Sequence, residues 1–162
     1  MVVSWAIIIV LLYAAQTSLF TFVDYNGVSV NLMLLLTVSV ALVHGYWKGV
    51  AMGFVTGLIQ DLTMGDFFGC AIFSYMIIGL VAGRLSPRIF KDQFIFPLLG
   101  APIAVVVHFF IMIGFIFFLG YQIDLLYMLQ AILLPLIFYQ LVFAIPVYKI
   151  VFDFDEFTQR HG

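Results

Sequence analysis

GYWKGVAMGFVTGLIQDLTMG, residues 45–65, decides how this chain folds. Glycine recurs at Gly45, Gly49, Gly53 and Gly57; Asp61 takes the next step of four, and Gly65 follows. On a helix, every fourth residue lies on nearly the same face, drifting by roughly 40° per step. The segment therefore carries a groove without side chains that ends in one carboxylate. In water, each such glycine would cost about 0.8–1 kcal/mol relative to alanine. In lipid, the same glycines let a second backbone approach, which is how membrane helices associate.

Composition identifies the solvent. Of 162 residues, 65% are hydrophobic and 9% charged, against about 25% charged in soluble domains. A soluble core cannot use that much apolar surface, so an all-α integral membrane protein is expected. The length suits a single domain, 1–162, of six spans at about 2–22, 28–43, 47–62, 70–85, 93–120 and 125–152, followed by a short polar tail from Asp153. The first run lacks a basic n-region and is expected to stay as an uncleaved span. No basic tract suggests nucleic acid. The single cysteine, Cys70, excludes an internal disulfide and a cysteine metal cage.

Charge placement supports the span count. With six crossings, Lys48, the Arg84/Arg88/Lys91 cluster, Lys149 and Arg160 share one side, and these are all 6 of the basic residues. Asp24, Asp61, Asp66 and Asp124 fall toward the other. Basic residues near span ends face the cytoplasm, so both termini are expected there.

Candidate chemistry is sparse. Asp61 sits at the C-terminal end of the third span, where the helix dipole disfavours an anion. It is either a functional intramembrane carboxylate or a group that reaches the headgroups or caps a neighbouring backbone. His108, in the middle of the fifth span, is expected to hydrogen-bond a carbonyl across the bundle, with a proton relay or a ligand contact as the alternative. Gln130 and Gln140 suggest interhelical bonds. A second close-packing pair is Gly79 and Gly83. The basic cluster sets topology or meets anionic lipid heads or an acidic partner. No Gly-x-Ser-x-Gly elbow, His-Glu-x-x-His pair or phosphate loop is present. No metal ligand set assembles, no cofactor is indicated, and an enzyme is not expected.

The core Gly53-Phe54-x-x-Gly57-Leu58-x-x-Asp61-Leu62, then Gly69, then the small-residue run Gly79…Ala82-Gly83-Arg84-Leu85, resembles the rod shape-determining protein MreD family. Asn31-Leu32 also matches, although Val30 stands where many members have proline. The resemblance implies a non-enzymatic scaffold of the bacterial cell-elongation machinery in the inner membrane. It implies binding of MreC and, through the complex, connection to MreB, RodA and a class B penicillin-binding protein during peptidoglycan synthesis. It further implies a fold like the substrate-binding subunits of energy-coupling-factor vitamin transporters. On this reading Gly49, Gly53, Gly57, Asp61, Gly79 and Gly83 form a helix seam, internal or with MreC. The alternative reading is a small-molecule-binding subunit of a vitamin transporter; alanines spaced by four on the first span, which such subunits use for docking, are lacking. A proton-linked carrier would rest on Asp61 and His108 alone.

Overall fold

The computed structural model describes residues 2–22, 30–64, 68–85, 95–122 and 124–161. Six helices account for nearly all of them, and no strand occurs among the described residues. They are α1 (Val2–Phe22), α2 (Leu32–His44), α3 (Tyr46–Met64), α4 (Cys70–Leu85), α5 (Ile95–Phe118) and α6. The last comprises Leu125–Met128, a π-helical turn at Leu129–Leu133, and Leu134–His161. Pro135 explains the wide turn: it lacks an N–H for the carbonyl four residues back, and its ring crowds that turn.

The bundle is built around α2. Residues Leu32 to Leu42 are all buried, and α2 contacts each of the other five helices. A helix apolar on every side belongs in an interior. At 13 residues it is about 20 Å long, shorter than the roughly 30 Å hydrocarbon layer. Its neighbours shelter it. The outer helices bury single stripes: Ile8, Leu12 and Gln16 on α1; Ala101, Ala104, Val105 and Phe109 on α5; Gln140, Ala144, Val147 and Val151 on α6. Their opposite faces carry exposed Val10, Leu11, Ile103, Phe110, Phe138 and Val142. Such faces suit acyl chains and not water. The Pro97–Phe118 and Leu125–Phe157 stretches are long and apolar enough to cross a bilayer unaided, while Trp5–Ser18, Leu32–His44 and Cys70–Leu85 are shorter apolar helices.

The tightest pair is α3 with α4, which run antiparallel. A Cβ placed on Gly49 would sit 2.5 Å from the Ala41 Cβ and 2.7 Å from the Gly79 carbonyl oxygen. On Gly57 it would sit 2.6 Å from the Ile72 Cα. On Gly53 it would strike the Tyr75 carbonyl, on Gly79 the Gly49 carbonyl, and on Gly83 the Tyr46 backbone. The bare face of α3 thus lies against the backbone of α4, with Ala41 of α2 closing the third side. Between α2 and α3 the chain turns on Gly45 alone, at φ 85°, a value that L side chains rarely adopt.

Four boundaries differ from the sequence expectation. Val30 and Asn31 are not helical, so the second helix starts at Leu32 and not at 28. His44 closes α2, leaving no loop before Tyr46 beyond Gly45. The third helix runs past Leu62 to Met64, with Asp61 in its last turn. The polar tail from Asp153 is helical: α6 carries on through it to His161. Its continuation is docked, because the His44 Nε2 meets the Asp155 Oδ1 at 2.7 Å and Trp5 packs edge-on against both His44 and Phe154.

Gly53→Leu is expected to destabilise the folded protein by about 3 kcal/mol or more, since rigid backbone faces the new side chain. Gly114→Leu, at a helical glycine with nothing within 4 Å, is expected to change stability by less than about 0.5 kcal/mol. Unfolding in mild detergent, followed by circular dichroism, measures both.

Candidate functional site: a buried polar layer at two helix starts

Two short helices, α2 and α4, begin with buried residues. The first four N–H groups of any helix lack intrahelical partners. Inside a membrane protein, water cannot serve them, so side chains must.

At α4 the server is Asp61. Its Oδ1 accepts from the Ala71 N–H at 3.0 Å, and its Oδ2 accepts from Gly69 and Ile72, each at 3.0 Å. The carboxylate is 5% exposed. Three donors and the positive end of the α4 dipole surround it, which offsets the unfavourable C-terminal end of its own helix. Gly69, at φ 100°, turns the chain so that these N–H groups converge. Asp61 is therefore a cap supplied by one helix to the next.

At α2 two amides do the same work. The Asn31 Oδ1 accepts from the Leu34 N–H at 3.0 Å, and the Gln16 Oε1 from the Met33 N–H at 3.1 Å. Both residues then reach further. The Gln16 Nε2 donates to the Gln60 Oε1 at 3.0 Å. The Asn31 Nδ2 donates to the Tyr75 hydroxyl, and the Asn31 carbonyl accepts from the Gln140 Nε2 at 3.1 Å. The Tyr75 ring meets His108 edge-on with centroids 5.3 Å apart. The His108 Nδ1 lies 2.8 Å from the Ser74 Oγ. Ser74, Tyr75, Gln16 and Gln140 are essentially inaccessible. One layer thus joins α1 through Gln16, α2 through Met33, α3 through Gln60, α4 through Tyr75, α5 through His108 and α6 through Gln140. One turn further along α2, the Thr37 and Thr56 hydroxyls meet at 2.6 Å.

This arrangement bonds helices to one another and is not poised for reaction. The Ser74 hydroxyl donates to the Cys70 carbonyl at 2.8 Å, which leaves its oxygen to accept from His108. A serine whose proton is held by a carbonyl is not an activated nucleophile. His108 is bonded to a hydroxyl, where a carbonyl partner had been expected. Both Asp61 oxygens already accept. No group of three or more His, Cys, Asp or Glu side chains able to hold a metal occurs among the described residues.

The remaining residues named from sequence are scattered. Gly49, Gly53, Gly57, Gly79 and Gly83 lie together in the α3–α4 contact, with Asp61 at its end. Arg84 is exposed, its guanidinium 5.8 Å from the centroid of the Tyr46 ring. Arg88 and Lys91 lie outside the described residues, as do Asp24 and Asp66. Asp124 caps α6 through the Tyr127 N–H at 3.3 Å. Gln130 is exposed and stands apart from the layer that Gln140 joins. Sequence reasoning passed over Tyr75, Ser74, Gln60 and the role of Gln16. The available signal was a polar group at membrane depth on three different spans. On the outer side of α5, a shallow groove of about 360 Å³ runs past Ile111, Gly114, Phe115 and Phe118.

Asp61→Asn keeps the shape but turns an NH2 toward backbone donors. It is expected to cost about 1–3 kcal/mol. Hydrogen exchange should accelerate first at the Gly69, Ala71 and Ile72 amides; unchanged exchange there would refute the capping role.

A family model described as rod shape-determining protein MreD matches residues 1–157. No curated protein and no solved structure matched the chain. The glycine-lined α3, its terminal Asp61 and the all-helical bundle thus stand within a match spanning nearly the whole sequence, and the chain belongs to the rod shape-determining MreD family.

Proposed function

We propose that this protein is a six-span membrane scaffold of the rod complex that docks the membrane helix of MreC and so helps to position peptidoglycan synthesis. Membership of a shape-determining family over residues 1–157 is the observation that carries this reading. Both termini lie in the cytoplasm, as supported by all 6 basic residues falling on one side of a six-crossing chain. The link to MreB, RodA and a class B penicillin-binding protein runs through the complex.

The mechanism is docking by shape. The side chains that could bind a substrate are engaged in holding α1 to α6 together, which favours a rigid body over a transporter or an enzyme. The glycine face of α3 is occupied by α4, so the partner takes another face. Gly114 is a helical glycine at membrane depth with open space beside it. Ile111, Phe115 and Phe118 flank it, and Phe117 and Phe118 are among the most exposed side chains of the molecule. A glycine notch between large apolar groups accepts a ridge of another helix.

Co-purification from bacterial membranes tests this. Gly114→Leu should fold normally and lose MreC by about tenfold or more, the effect of losing one well-packed contact of about 1.4 kcal/mol. Full retention of MreC by this variant moves the docking face elsewhere. Failure of the unaltered protein to retain MreC, even after cross-linking in the membrane, removes the scaffold reading. Cysteines at positions 48 and 149 should label only from the cytoplasmic side.

A further inference from the structure

A cavity of about 260 Å³ opens between α4 and α5. Leu42 of α2 and Ile78 form its floor, both buried. Val81, Leu85, Leu99 and Ile103 form its mouth, each about half exposed. Its walls are almost wholly apolar. The small residues Ala82 and Gly100 leave the space open. From Leu85 at the end of α4 to Ile78, the cleft runs for about 10 Å along the helix, which is most of the depth of one bilayer leaflet, about 15 Å.

Shape and charge select the occupant. A helix with side chains is about 10–12 Å across, and α4 and α5 already touch each other. No helix reaches the α2 floor between them, whereas one acyl chain does. Arg84 lies one turn beyond Val81, on the adjoining face of α4. Its guanidinium is exposed and rests over Tyr46. The neighbouring Trp47 is 74% exposed and Lys48 is also exposed, as expected of residues at headgroup level. An apolar slot with an exposed cation one turn along α4 from its mouth suits an anionic phospholipid, acyl chain inward and phosphate outward.

We propose that the α4–α5 cleft is a binding site for one anionic phospholipid, with an acyl chain in the cleft and the phosphate at Arg84. The site rests on the membrane reading above but not on MreC binding. The lipid fills the cleft over Leu42 and Ile78 and so adds packing against the central helix.

Native mass spectrometry of the protein, purified in mild detergent and exchanged with phosphatidylglycerol or phosphatidylethanolamine of matched chains, tests the site. The unaltered protein should retain phosphatidylglycerol preferentially. Ala82→Phe, which fills the cleft, should abolish retention of both lipids. Arg84→Gln should keep lipid but lower the preference for phosphatidylglycerol about fivefold, the share of one cation near an anionic headgroup. If Ala82→Phe fails to fold, Val81→Trp at the half-exposed mouth serves in its place. Equal retention of the two lipids by the unaltered protein, or undiminished retention by the cleft-filling variant, overturns the proposal. So does efficient cross-linking of a Val81→Cys variant to a protein partner's helix. Lipid retention is read on the isolated chain. Loss of MreC binding would therefore leave it intact, and an inverted topology would show in cysteine labelling instead.

Discussion

Everything in this bundle depends on two backbones touching. Between helices in lipid there is no hydrophobic drive, because an acyl chain is as apolar as leucine. Association must come from close contact and from bonds between polar groups. Gly49, Gly53 and Gly57 remove every side chain from one face of α3, and Gly79 and Gly83 do so at two levels of α4. The pair closes until the carbonyl of one helix meets the Cα of the other. Ala41 then brings α2 against the same contact. The three helices form a block on which α5, α6 and the first helix rest.

Close approach creates a second requirement. The connection to α4 is short and the first residues of α4 are buried, so its leading N–H groups need partners from the protein. Asp61 lies at the end of the bare face, one further step of four beyond Gly57, and accepts three of those donors. The same need recurs at α2, where Asn31 and Gln16 answer it. The polar layer therefore follows from short central helices: it satisfies backbone groups that lipid cannot, and its remaining donors tie in Tyr75, Gln60 and Gln140. The outcome is a bundle with its polar groups bonded inside and large apolar side chains on its outward faces.

The far end of the molecule holds by different means. There α6 outruns the bundle, and His44, Asp155, Trp5 and Phe154 pin it to α1 and α2. By sequence this continuation reads as a short polar tail from Asp153. Polarity alone does not end a helix. Once outside lipid, carboxylates are stable on a helical surface, and Phe154 keeps the stripe that docks it.

How much could be known without coordinates differs from residue to residue. Glycine at every fourth place, the scarcity of charge and the one-sided distribution of Lys and Arg are properties of the linear chain, and they determined an all-helical bundle with a bare-faced third helix. A period along a helix tells which positions share a face, but not what faces them. Only the tertiary structure decided that α4 covers the glycines, that Asp61 caps a neighbour, and that Gln16, Asn31, Tyr75, His108 and Gln140 meet. Those partners are separated by tens of residues in sequence, and whether a buried polar group reacts, binds or merely holds depends on which donors and acceptors packing brings within about 3 Å of it.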